Sequence, residues 1–254
     1  MPFALIGTIG TVDVGAIDDL SALADIAQAE GLWFHVDGAF GALMTLSPEL
    51  KPLAHGLERA DSVAFDFHKW MHVPYDAGCV IIRDGDLHYR TFATNEPYLA
   101  RAQRGLAGGE PWFCDFGPDL SRGFRALKVW FTIKEHGAAR LGEAMARNVR
   151  QARALAQRVA ERGGLELLAP VALNIVCFRV CDPHLDAAEL NALNAAIVVD
   201  VQERGIAAPS TTMLGEKLAI RVNLTNHRTT DADLDVLVDA VLLSARALRA
   251  VRTI

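Results

Sequence analysis

The residues with the most chemical promise form two short runs. In Ser62-Val63-Ala64-Phe65-Asp66-Phe67-His68-Lys69-Trp70, an apolar stretch ends in a lysine flanked by His68 and Trp70. A lysine displaced from bulk water is favoured as the neutral amine, the form that condenses with an aldehyde. The plain alternative is a strand-end lysine whose stem lies along apolar surface. Upstream, Leu32-Trp33-Phe34-His35-Val36-Asp37-Gly38-Ala39-Phe40-Gly41 is a second apolar run, closed by an acid and then small residues. An acid there could simply cap a turn.

Taken together, the acid and the lysine suggest one chemistry. An amine reaching an aldehyde and a carboxylate facing a ring nitrogen fit a pyridoxal phosphate site. His68 and His72 are four apart, a spacing that could pair them on a metal. No third ligand is placed, so no metal is expected. Gly7-Thr8-Ile9-Gly10-Thr11 matches neither the Walker nor the dinucleotide glycine pattern.

These residues need elements to hold them. Phe3 to Ile6, Leu32 to Val36, Ser62 to Phe65 and Gly78 to Ile82 read as strands. Asp18-Asp19 opens a helix that carries Leu20, Leu23 and Ala27 on one face and reaches Gly31 as its cap. Strand–helix–strand order implies a parallel crossover, which sets Thr11, Asp37 and Lys69 at carboxyl ends of strands, where open α/β sheets bind ligands. Pro48 to His55 reads as a short surface helix.

Arg90 to Pro118 shows little periodicity and carries glycines suited to a hinge. Helices are expected at Leu120 to His136, Ala138 to Arg162, Ala187 to Arg204 and Asp231 to Arg249. Strands are expected at Leu165 to Leu168, Asn174 to Val180 and Lys217 to Val222. The reading is an α/β chain with a large, mostly parallel-sheet domain over 1–118 and a small α+β domain over 119–254.

Composition narrows the classes. The 254 residues are 51% hydrophobic and 22% charged, with a net charge of −6, so there is no basic footprint for nucleic acid. No apolar run is long enough to span a membrane. Cys79, Cys114, Cys177 and Cys181 form no CxxC pair, and a reducing cytoplasm is their expected setting.

His35-Val36-Asp37-Gly38-Ala39-Phe40-Gly41 followed by Asp66-Phe67-His68-Lys69-Trp70 resembles the group II pyridoxal-dependent amino acid decarboxylases. The resemblance runs from about Phe3 to about Leu248 and matches the middle and C-terminal parts of longer proteins. It implies the aspartate-aminotransferase-like fold type I, pyridoxal 5'-phosphate as cofactor and a homodimer. The implied reaction is decarboxylation of an L-amino acid, an aromatic one favoured.

The resemblance also assigns roles. Lys69 would bind the cofactor aldehyde, Asp37 the ring nitrogen, and Ala39 would lie under the ring. Thr11 and His68 would stand close to the cofactor. Asp66 takes the place of an asparagine near the phosphate, and Val12 replaces a second threonine. Tyr98 would return a proton to the carbon that loses carbon dioxide, and Arg122 would lie near the substrate. The sheet as read has few strands and starts inside one. A chain inactive by itself, a remnant or partner subunit, is therefore the alternative expectation.

Overall fold

In the computed structural model, residues 1–93, 102–106, 108–109 and 111–252 are described. Strands β1 (Ala4–Thr8), β2 (Trp33–Asp37) and β3 (Ser62–Asp66) are parallel, in that order across the sheet. Strand β4 (Gly78–Ile82) completes the edge antiparallel to β3. Register sets Thr8 beside Asp37 and Asp37 beside Ala64. The loops leaving β1, β2 and β3 therefore emerge along one edge, as the sequence predicts.

Helix α1 (Leu20–Glu30) links β1 to β2. The Asp19 carboxylate accepts the Ala22 N–H at 3.0 Å, which caps its first turn. Gly31, at φ 65°, ends it in the left-handed region open to glycine. Leu20, Ala24 and Ala27 are buried against the sheet. Between β2 and β3 the expected short helix is a series of 3-10 turns, Ala42–Leu46, Lys51–Ala54 and Leu57–Arg59.

Helix α2 (Gly85–Phe92) is absent from the sequence reading and ends just inside the aperiodic stretch that starts at Arg90; the Asp84 side chain caps it through Leu87 N–H at 2.8 Å. Helix α3 (Arg125–His136) starts five residues later than expected, because Phe124 is non-helical and Gly123 is a poor helix former. The 24-residue α4 (Ala138–Glu161) then runs past both parts of the molecule. Its Leu141, Met145, Ala146 and Val149 belong to the core under the parallel sheet. Ala152, Leu155 and Val159 belong to the core of the second sheet. Close approach requires Gly142, since a Cβ there would lie 2.4 Å from the Leu46 carbonyl oxygen. The two cores thus part along α4, downstream of Pro118.

The second sheet is antiparallel, ordered β5 (Leu165–Leu167), β6 (Ile175–Val180), β8 (Lys217–Asn223), β7 (Ser210–Leu214). Strand β7 is absent from the sequence reading: Ser210-Thr211-Thr212 has β-branched residues but little apolar alternation. It is recruited by a hairpin with β8, turned at Gly215 with φ 62°. Helices α4, α5 (Ala187–Glu203) and α6 (Asp231–Arg252) cover one face. The other face carries Ile175, Cys177 and Ala219, which pack against Val14 from the loop after β1.

Candidate active site

Strand β2 delivers Asp37 to the sheet edge, where its Oδ1 accepts the Ala39 N–H at 3.0 Å. The acid therefore caps its own turn and is also exposed to the cleft. The Ala39 carbonyl in turn accepts the Asp66 N–H at 3.1 Å, so the two motifs are joined through backbone. Beyond β3 the chain turns, and Trp70 anchors the turn in the core. It is 1% exposed, stacks on Phe40 with ring centroids 4.8 Å apart, and donates from Nε1 to Asn148 Oδ1 at 3.1 Å.

That anchor directs the preceding residue, Lys69, outward. The expectation that Lys69 is withdrawn from water is corrected: its side chain is 38% exposed. Its Nζ pairs with Asp66 Oδ2 at 2.7 Å. The apolar run ends one turn before the amine, so the side chain leaves the core for the cleft. Asp66 is thereby a partner of the lysine in this structure. His68 is largely buried; its Nδ1 accepts the Ala77 N–H at 2.9 Å, and its Nε2 lies 3.9 Å from Asp66 Oδ2. With Nδ1 accepting, a neutral ring carries its proton on Nε2. Tyr75 covers the His68 ring at 4.1 Å between centroids.

Lys69, Asp37, Ala39, His68 and Thr11 line one cleft of about 680 Å³. Thr11 Oγ1 accepts the Ala16 N–H at 2.9 Å, which leaves its hydroxyl proton available to a ligand. Arg122 is not among the lining residues; its guanidinium packs against Gly117. Tyr98 lies outside the described residues.

The structure adds wall residues that sequence reading missed: Arg221, Asn223 and Thr225 from β8 and the segment after it. The available signal was Arg221 itself, a cation inside the apolar run Leu218-Ala219-Ile220-Arg221-Val222. Its Nε donates to the Val12 and Asp13 carbonyls at 2.9 and 3.1 Å. Thr212 Oγ1 donates to Asp13 Oδ1 at 2.5 Å, and the Cys177 thiol donates to the Asp13 carbonyl at 3.3 Å. Burial pushes the Cys177 thiol up to about 11, so it stays protonated as a donor. The second sheet thus grips the loop that carries Thr11.

These groups suit a phosphorylated pyridine aldehyde. The cleft offers an amine, a carboxylate, the hydroxyls of Thr8 and Thr11, and an imidazole. Its volume is in the range of small-molecule sites.

Comparison with known proteins agrees in kind. The family model described as pyridoxal-dependent decarboxylase conserved domain matches residues 1–181. The aromatic-L-amino-acid decarboxylase of Bacillus atrophaeus is 37% identical over 234 residues, which are 92% of this chain and 48% of that protein. The histidine decarboxylase of Mus musculus is 32% identical, across 92% of this chain and 34% of its own. Among solved structures, a glutamate decarboxylase domain from Vibrio parahaemolyticus superposes with a TM-score of 0.80 at 31% identity, over 97% of this chain and 47% of that one. Oryza sativa TDC with PLP and tryptamine superposes with a TM-score of 0.87 at 24% identity, over 96% and 50%, a likeness of fold. The chain spans half or less of the length of these proteins.

Proposed function

This chain belongs to the pyridoxal-dependent decarboxylase family, and from that premise we propose that it holds pyridoxal phosphate for removal of the α-carboxylate of an L-amino acid, an aromatic one first. The observation that carries the reading is the opening of Lys69 and Asp37 into one cleft at the carboxyl edge of a parallel sheet.

When bound, the cofactor supplies an electron sink for the pair left behind as carbon dioxide departs. In this reading Lys69, whose Nζ rests on Asp66 here, would be the residue that holds the cofactor at its aldehyde. Asp37 holds a proton on the ring nitrogen, and its hydrogen bond from Ala39 N–H fixes the carboxylate plane for that task. The small side chain of Ala39 lets the ring lie close. The Thr11 hydroxyl donates towards the cofactor, and the Arg221 clamp keeps its loop in place. His68 presents Nε2–H beside the amine. Resemblance assigns Tyr98 the proton returned to carbon and Arg122 a contact to substrate.

The same proposal includes a homodimer and a reducing cytoplasm. Leu127, Trp130 and Phe131 of α3 are exposed, an apolar face of the kind buried between subunits. All four cysteines are free thiols. Light scattering reports the assembly.

The deciding experiment is borohydride reduction of the cofactor-loaded chain, followed by peptide mapping and by carbon dioxide release from a panel of L-amino acids. The expected result is a pyridoxyl group on Lys69 and release fastest with aromatic substrates. Label on another lysine, or none, refutes the cofactor assignment. Label on Lys69 without release refutes turnover by this chain.

A further inference from the structure

A second cavity, of about 410 Å³, lies beside the Lys69 cleft and shares with it the wall residue His72. Its polar lining converges from three separate parts of the chain. His72 comes from the turn after Lys69. His136, Arg140, Glu143 and Arg147 come from the α3–α4 junction. His227 comes from the segment after β8. Two guanidiniums and three imidazoles face one carboxylate, and that carboxylate, Glu143, is already held by Arg150.

The cations are left with capacity for a ligand. Among the described residues, Arg140 has no carboxylate partner. Arg147 donates from Nη2 to the His227 carbonyl at 2.6 Å, which orients the guanidinium and leaves its other N–H groups to spare. His72 occupies the left-handed backbone region at φ 59°, uncommon for any residue but glycine. There its ring meets His227 edge-to-face at 5.5 Å between centroids. Two imidazoles held this close repel as cations unless negative charge lies near them. Among the described residues no three His, Cys, Asp or Glu side chains gather closely enough to hold a metal. The three imidazoles therefore ring a space instead of converging on one cation.

We propose that this cavity is a binding site for a multivalent oxyanion, of the phosphate, sulfate or polycarboxylate kind. Arg140 and Arg147 supply permanent charge, and His72, His136 and His227 supply donors that strengthen on protonation. A guanidinium matches two oxygens of such an anion at once, which a halide cannot use. Burial and the His227 charge hold His72 below its ordinary value, and a bound anion would act in the opposite sense. Anion binding and protonation of the histidines should therefore reinforce each other.

The test uses the full chain with 15N-labelled histidine, titrated by NMR with inorganic phosphate at constant ionic strength. Parallel arms use sulfate, citrate and sodium chloride. The expected result is saturable movement of the His72, His136 and His227 ring signals with Kd on the order of 1 mM or tighter. In the sulfate arm, binding should be several-fold tighter at about pH 6 than at about pH 8, because histidine charges in that interval while sulfate keeps its charge. Arg140→Gln with Arg147→Gln should weaken it at least about tenfold, the scale of one lost charge-assisted contact. Arg140→Gln alone, at an exposed side chain, should give part of that loss and is the fallback if the double variant does not fold. His68 is the internal control: anion entering the Lys69 cleft moves His68 together with the shared His72 and leaves His136 and His227 in place. Movement of His68 and His72 without His136 and His227, equal response to chloride, no saturation, or unchanged affinity in folded arginine variants would each overturn the proposal.

Discussion

Lys69 Nζ and Asp66 Oδ2 stand 2.7 Å apart, an ion pair between the last residue of β3 and the amine three positions on. The pair gives the amine a resting place. It also means that the lysine must exchange one partner for another when it takes up a ligand. The lysine side chain is more than a third exposed, so solvent screens the pair. Asp66→Asn is expected to cost less than about 1 kcal/mol in urea denaturation. Lys69→Met should cost more than Asp66→Asn, because it strands the less exposed partner. The reverse order would show that the pair does not hold the turn.

Asp37→Asn should leave the fold and the labelling of Lys69 intact while turnover falls by about 10²–10³-fold, the scale of one preorganised charge. The amide can still accept the Ala39 N–H, so the turn survives. Turnover is followed as carbon dioxide release and labelling by mass spectrometry. Unchanged turnover would remove Asp37 from the mechanism.

Trp70→Phe keeps a ring against Phe40 but removes the indole N–H from Asn148 Oδ1. A buried acceptor left without its donor costs about 1–3 kcal/mol. Calorimetric unfolding should register that loss, and Lys69 labelling should slow, since the same side chain aims the turn. A neutral effect on both would mean that the hydrogen bond anchors nothing.

His72 predicts an acid-side decline in stability. Burial first, then the His227 charge, hold its imidazole below the ordinary 6.5, and a hydrogen bond to the Thr225 backbone offsets part of this. Just below 6.5 the unfolded chain therefore binds more protons at this group than the folded one. Its contribution is fully present above that value and is lost as pH falls from it towards the lower folded value. In phosphate-free buffer, His72→Gln should flatten the fall in melting temperature between about pH 7 and about pH 5. An unchanged slope would assign the decline to other groups.

Arg221→Ala should release the loop that carries Thr11. It leaves the Val12 and Asp13 carbonyls without their charged donor, at about 1–3 kcal/mol before allowance for the part-exposed setting. Hydrogen exchange of Thr11, Val12 and Asp13 is the local readout. Exchange no faster than in the parent chain would show that Cys177 and Thr212 suffice as clamps.

Much of the candidate site was legible along the chain. An apolar run that ends in Asp37, another that closes on His68 and Lys69, and a crossover helix between β1 and β2 are local patterns. Parallel order then brings loop ends to one edge without knowledge of any distant contact. Residues whose role depends on what arrives from elsewhere were not legible. Periodicity marks β8 as a strand but does not say that Arg221 meets Val12, which lies 209 positions earlier. It marks α4 as an amphipathic helix but not that its two halves serve different cores. Nor does it bring His72, Arg147 and His227 to one cavity, or turn Lys69 from the core towards Asp66. Local sequence determines which element forms and where it ends, because those choices rest on spacing within a few turns. The tertiary structure decided which charged groups face one another, because that depends on packing between segments far apart in the chain.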